Sequence, residues 1–261
     1  MPRTSESARH QLKVPHTSAL IYTSFLRPSN HSYIVNYQLS TINYPLKMRT
    51  IIFINGIIQN DELAARWLRA DDHLIGADGG THHCLRLGHQ PNIVVGDLDS
   101  LDPALVDKLA AQGVQIQRHP TEKDQTDLEL AIKCAIDAGS DEILLLGALG
   151  GRMDQMLGNV FMLAQREWSI PIRLAEENQL AQLIHGPSTL AIHGSIGNTV
   201  SAIPLSETVT GITYTGLQYP LHNATLPLGS SRAMSNVMTE IQATIEIASG
   251  ILMVIQTIDN E

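Results

Sequence analysis

Between Ile51 and Trp168 short apolar runs alternate with amphipathic stretches, and no other feature restricts the fold of this chain as much. The runs at 51–54, 73–77, 92–95, 114–117 and 142–146 have the length and composition of strands. The stretches at 61–69, 103–111, 125–138 and 155–167 carry helical spacing. Strands alternating with helices predict an α/β fold, a mostly parallel sheet with helices on both faces. Helix starts are marked as well: Asp102 can cap with Pro103 at the first helical position, and Asp124 precedes Asp127 by three residues.

Beyond Pro171 the texture changes to β-rich runs broken by Gly, Pro and Asn, at 172–175, 180–185, 189–192, 199–203, 209–214, 243–247 and 251–257. Strands at this spacing predict a sandwich or barrel. The expected organisation is an α/β domain over 48–170 followed by a smaller all-β domain over 171–261. Residues 1–47 show no sustained period and are expected to lie outside the fold, with Met48 as an alternative start.

A formal net charge of -9 over 261 residues, with no stripe of Lys and Arg, argues against nucleic acid as a partner. A polyanionic ligand would need a metal ion to bring it in. Cys84 and Cys134, fifty positions apart, fit neither a disulfide framework nor a zinc knuckle and suggest a reducing cytoplasm, with both side chains packed as apolar groups. No apolar run reaches the roughly 18 to 20 residues that cross a bilayer, so no membrane association is expected.

In an open parallel sheet, ligands bind outside the carboxyl ends of the strands. The segments there are rich in Gly and Asp: Ala77-Asp78-Gly79-Gly80, Gly96-Asp97-Leu98-Asp99-Ser100, Lys123-Asp124-Gln125-Thr126-Asp127 and Gly147-Ala148-Leu149-Gly150-Gly151-Arg152-Met153-Asp154. If the segment is extended, Asp97 and Asp99 point the same way about 6 to 7 Å apart and can share a metal, for which Mg²⁺ is suited. Capping the helix at Pro103 would need only Asp102 or Ser100, which leaves Asp97 unexplained. Asp127 has a rival role in a capping pair with Asp124 or Thr126, although the same helix start, with Lys123 beside it, is a natural anion site. Gly150, Gly151 and Arg152 offer backbone N–H groups and a forked cation to phosphate, and Asp154 adds a carboxylate. Neither a P-loop nor a dinucleotide fingerprint occurs. His82 and His83 are adjacent and cannot face one zinc ion from a helix.

Taken in order with Ile54-Asn55-Gly56, these segments resemble the thiamine pyrophosphokinase family. The likeness extends to Met234-Ser235-Asn236 and to the pair 243–247 and 250–252. The resemblance implies a Rossmann-like domain that binds ATP, a β-sandwich that binds thiamine, and a homodimer with active sites between subunits. It places Mg²⁺ on Asp97, Asp99 and Asp127 and draws Asp78, Asp127, Arg152 and Asp154 into catalysis. ATP is expected on Asn55, Gly79, Gly80, Lys123, Thr126, Gly150 and Gly151, and thiamine on Ser235 and Asn236. The chain departs from the family pattern at His82, Gln155, Val237 and Met238. Two other functions fit the same residues: transfer to another heterocyclic alcohol, and a non-catalytic sensor of thiamine or nucleotide.

Overall fold

The computed structural model describes residues 47–120 and 125–258; the expectations placed on residues 1–46, Lys123 and Asp124 lie outside the described residues. Five parallel strands open the fold: β1 (Arg49–Phe53), β2 (His73–Ala77), β3 (Ile93–Gly96), β4 (Gln115–Arg118) and β5 (Glu142–Leu146). Five helices accompany them: α1 (Asp61–Ala65), α2 (Thr81–Arg86), α3 (Pro103–Ala111), α4 (Asp127–Asp137) and α5 (Met153–Ala164). Nine strands follow: β6 (Ile172–Glu176), β7 (Gln179–His185), β8 (Ser188–His193), β9 (Thr199–Pro204), β10 (Thr208–Thr215), β11 (Ala224–Pro227), β12 (Asn236–Val237), β13 (Gln242–Ile247) and β14 (Ile251–Thr257). Every strand expected from the sequence is present within one or two residues. Not expected were β11, β12, α2 and the 3-10 turn Asp78–Gly80 before it, because the Gly pair and the polar Thr81-His82-His83 carry no helical signal.

Strand alternation explains the layers. Ile52, Ile75, Ile143 and Leu145 face one core with Leu128 and Ala131 of α4 and Val160 and Leu163 of α5. Their neighbours Ile51, Phe53, Leu74, Leu144 and Leu146 face the other side, against Cys84 and the partly buried Trp67 and Leu87. Helices therefore cover both faces, as a parallel sheet requires.

One sheet of ten strands runs through both parts of the chain in the order β12-β9-β14-β7-β6-β5-β1-β2-β3-β4. β6 pairs parallel with β5 and antiparallel with β7, so the sheet changes character at β6 without a break. On β14, Met253 and Ile255 pack into the core shared with α4 and α5, while Leu252 and Val254 face a second core. That second core lies between the long sheet and a four-stranded sheet, β11-β10-β13-β8, which contributes Val209, Ile212, Ile245 and Ile192. The sandwich expected after residue 171 is thus present, and one of its layers is the continuation of the first sheet.

Two charged features at the margins of this sheet affect its stability. Arg49 binds both carboxylate oxygens of Asp72 at 2.7 Å and donates to the Trp67 carbonyl, also at 2.7 Å. The Asp72 side chain is only 1% exposed, and it also accepts from the Arg69 amide. Asp72→Ala strands a mostly buried guanidinium and is expected to cost about 3 kcal/mol, read as a lower urea midpoint. At the end of β6, burial and the neighbouring Glu177 push the Glu176 carboxyl up from 4.5 to about 7. The folded state therefore holds this proton more tightly than the unfolded chain, and stability falls as pH rises between those two values. Glu176→Gln is expected to raise Tm, with a gain that grows from pH 4.5 and levels off above about 7 in thermal melts across that range.

Candidate active site

β1 is followed by β2 on one side, whereas β5 returns to its other side, so the strand order reverses between β1 and β5. A crevice opens at such a switch point. Here the two exits are tied together: the Ile54 amide donates to the Leu146 carbonyl at 2.8 Å and the Gly56 amide to the Gly147 carbonyl at 2.9 Å. The cleft beside them has a volume of about 490 Å³ and is lined from every strand end predicted to carry chemistry. Asn55, Asp78, Asp97, Asp99, Thr126, Asp127, Gly150 and Arg152 all line it.

Carboxylate oxygens of Asp78, Asp97 and Asp127 lie within 4.8 Å of one another. Each arrives by a different local device. Asp78 is 6% exposed, opens the 3-10 turn after β2 at φ 45°, and its Oδ1 has no hydrogen-bond partner among the described residues. Asp127 is the first residue of α4. The cap itself is a reciprocal pair, in which the Glu129 amide donates to the Thr126 hydroxyl and the Thr126 amide to the Glu129 carboxylate. Capping therefore does not account for Asp127.

The geometry around Asp97 and Asp99 departs from expectation. Leu98 between them adopts φ 64°, and the Asp99 amide turns back onto Asp97 Oδ1 at 3.2 Å. The segment is a turn rather than an extended strand, so the two acids do not project in parallel. Leu98 is 4% exposed and packs with Val94, Leu101, Val106 and Leu109 of the core beneath α3. Asp97 joins the three-carboxylate group, whereas Asp99 is exposed and stands outside it, its Oδ1 accepting from Ser100. The third member of the group is Asp78, where the sequence had suggested Asp99.

Gly96 makes the crowding possible. A Cβ there would sit 3.0 Å from Asp78 Cβ and 3.1 Å from Asp127 Oδ1, and the residue lies at φ 144°. Gly79 is equally confined, since a Cβ would fall 2.5 Å from the Asn55 amide group. Gly80 packs against the backbone that leaves β1. These two glycines bring α2 close against the Asn55 loop, and neither lines the cleft itself.

At the far wall, Arg152 binds Asp154 in a forked pair at 2.6 and 3.1 Å. Both side chains are well exposed, and the Arg152 hydrogen bonds hold the Asp154 carboxyl below the usual carboxylate range. Asp154 does not line the cleft; nor does Gly151, which sits beside Ile57. Three polar lining residues were missed: Gln155 and Asn159 on this side, and Gln125 just before α4. Asn159 donates to the Ala148 carbonyl at 2.8 Å and so braces the loop after β5. Arg152 stands at the N-cap of α5, and positions 155 and 159, one turn apart, share a face of the helix, a spacing that marks this wall in the sequence.

Ser235 and Asn236 lie away from this cleft. Ser235 adopts φ 56° and its amide donates to the Ser201 hydroxyl. Asn236 is buried, accepts from the amides of Tyr219 and Val237, and donates to the Tyr219 carbonyl at 2.8 Å. Its side chain holds the Tyr219 loop in place. The two histidines also part ways, His82 exposed near the Ser100 carbonyl and His83 buried against the Gly56 carbonyl, so they share no site. Cys84 is buried, which pushes its thiol up to about 12, in keeping with an apolar packing role.

Two family models match the chain: the catalytic domain of thiamin pyrophosphokinase over residues 64–174 and the vitamin B1 binding domain of the same enzyme over residues 187–252. The thiamine pyrophosphokinase of Bacillus subtilis is 34% identical over 193 residues, spanning 72% of this chain and 90% of that protein. The crystal structure of the Bacillus subtilis enzyme superposes with a TM-score of 0.69 at 31% identity, covering 82% of this chain and all of that one. That of Geobacillus thermodenitrificans gives 0.68 at 31% identity, with 82% and 99% covered. With both domain models in order, a carboxylate cluster at the switch point and this fold in common, the chain belongs to the thiamine pyrophosphokinase family.

Proposed function

We propose that this protein transfers the pyrophosphoryl group of ATP to the hydroxyl of thiamine, giving thiamine diphosphate and AMP, with Mg²⁺ in the cleft at the switch point. One observation carries the mechanism: three carboxylates from three strand ends converge within 4.8 Å, and one of them is buried with an unpartnered oxygen. Three like charges at that distance repel one another unless a cation lies among them. The donor set is all carboxylate oxygen, which suits a hard divalent cation such as Mg²⁺. Asp78, Asp97 and Asp127 would hold the ion, with Asp99 beside them. When bound, it supplies charge neutralisation to the triphosphate.

The chain's own residues orient the reactants. Asn55, Thr126 and Gly150 line the cleft, backed by Gly79, Gly80 and Gly151, and this is where ATP is proposed to lie. The thiamine hydroxyl oxygen forms a bond to the β-phosphorus while the bond to the bridging α–β oxygen breaks, and AMP leaves with that electron pair. Positioning in line and charge stabilisation supply most of the acceleration in such transfers. Arg152 on the cleft wall and Lys123 are assigned to the phosphate charge. The hydroxyl proton is assigned to Asp127 in preference to Asp154, whose carboxylate is held by Arg152 outside the cleft and is the weaker base for it.

The division of labour proposed is ATP on residues 48–170 and thiamine on residues 171–261. From the family resemblance the pair Ser235 and Asn236 is assigned to thiamine at the cleft of a second copy, in a homodimer, with the exposed Ser235 meeting it directly and the buried Asn236 acting through the Tyr219 loop it holds. A cytoplasmic location is proposed from the two free thiols, Cys84 and Cys134. Among the described residues no helix is long and apolar enough to cross a membrane.

Incubation with thiamine, ATP and Mg²⁺ is expected to yield thiamine diphosphate and AMP in equal amounts, both lost with EDTA. Thiamine binding without AMP would instead indicate a sensor, and AMP formed only with another alcohol would reassign the acceptor. Asp97→Asn is expected to lower kcat by at least about 100-fold, and Asp99→Asn by about 10-fold as an outer neighbour of the ion. Equal losses in the two variants would rule out the proposed grouping.

A further inference from the structure

His83 is a buried polar side chain that the mechanism above does not use. It lies on α2, which starts directly after Asp78-Gly79-Gly80, and is 9% exposed. Its Nε2 lies 2.8 Å from the Gly56 carbonyl. A carbonyl only accepts, so Nε2 carries the hydrogen and donates it. Nδ1 is then left as an acceptor, and it is buried with no partner among the described residues. A half-satisfied imidazole is a poor choice for packing alone, since an apolar side chain would fill the space without an orphaned nitrogen. Burial also lowers its pKa, which keeps the ring neutral and its donor on Gly56 at neutral pH.

What the hydrogen bond holds gives a buried histidine a role here. The Gly56 peptide is fastened from both sides, its amide to the Gly147 carbonyl at 2.9 Å and its carbonyl to His83. One residue before it, Asn55 packs on Gly79 at the floor of the cleft; one residue after it, Ile57 lies against Gly150 and Gly151. Arg86, a turn further along α2, donates to the Ile58 carbonyl at 3.3 Å while paired with Asp61. The 54–58 loop is therefore suspended between α2 and the loop after β5, and the His83 bond is its central attachment on the α2 side.

We propose that His83 is a positioning residue for nucleotide binding, which fixes the 54–58 loop through the Gly56 carbonyl and so holds Asn55 where the nucleotide meets it. This rests on the cleft being the ATP site. The residue acts on ground-state binding and touches no reacting atom.

The test compares His83→Leu, which removes the donor and keeps the bulk, with His83→Gln, whose amide can donate to the same carbonyl. His83→Met serves as a second apolar variant should leucine prevent folding. Steady-state kinetics are measured with ATP and thiamine varied separately, alongside Tm and direct binding of a non-hydrolysable ATP analogue. The expected result for the apolar variant is a KM for ATP raised about 10-fold, the loss of one buried hydrogen bond. With it, kcat stays within about twofold, KM for thiamine is unchanged, Tm falls only modestly because the Gly56 carbonyl loses its donor, and glutamine restores most of the affinity and of the Tm. An unchanged KM for ATP in the apolar variant, or parallel losses of kcat and Tm in both variants, overturns the proposal while wild-type turnover leaves the function standing. Failure of the wild-type protein to bind the ATP analogue would overturn the function and this proposal together.

Discussion

The parallel ladder between β5 and β6 is the contact on which the rest of the architecture depends. It registers Ile143 to Leu146 against Ile172 to Ala175 and carries the hydrogen-bonded sheet from the α/β part of the chain into the β part. Everything downstream is added to that edge: β7 folds back on β6, β14 pairs with β7, and β9 with β14. Alternation along these strands then splits their side chains between two cores, so that neighbouring residues of β14 belong to different hydrophobic clusters. Because burial of apolar area is the main source of stability, the two cores are linked through strands they hold in common. The helical part and the sandwich cannot be treated as independent bodies joined by a tether.

This frame determines where chemistry can occur. Parallel strands send their carboxyl ends to one edge, and the order reversal between β1 and β5 opens the cleft there. Into that cleft come three acids whose mutual repulsion the fold must overcome. It does so with backbone conformations that are costly in isolation, including positive φ at Asp78 and Leu98. Such strain persists only where the surrounding packing over-determines it, and here the buried neighbours of Leu98 and the glycine at 96 do so.

Much of this was legible in the residues. Short continuous apolar runs such as Ile143-Leu144-Leu145-Leu146 and caps such as Asp102-Pro103 are local signals, and local signals determined the elements. The acid-bearing loops were also visible, because Asp97, Asp127 and Asp78 follow strand ends. The partnership of Asp78 in place of Asp99 was not, since it depends on the left-handed turn at Leu98, and nothing in Asp-Leu-Asp announces φ 64° for a leucine. Nor was α2, whose Thr-His-His opening has low helical preference and is held by packing of Cys84 and the His83 bond. The pairing of β6 with β5 is a long-range event between segments separated by α5, and periodicity is silent on partners. The wall formed by residues 155 and 159 of α5 was readable in principle, but polar residues spaced along a helix look the same whether they face a cleft or bulk water.

Leu98 gives the acidic edge an unusual dependency. A greasy side chain sits between two carboxylates in sequence and is sunk among Val94, Leu101, Val106, Leu109 and Val114. The position of Asp97 is therefore dictated from below, by how well a hydrophobic pocket grips its neighbour, and not from the solvent side where its charge is displayed. A loosened fit under α3, well removed from any ligand, would be transmitted as a tilt of a carboxylate. The way this edge displays its charge is in that sense a property of the oil beneath it.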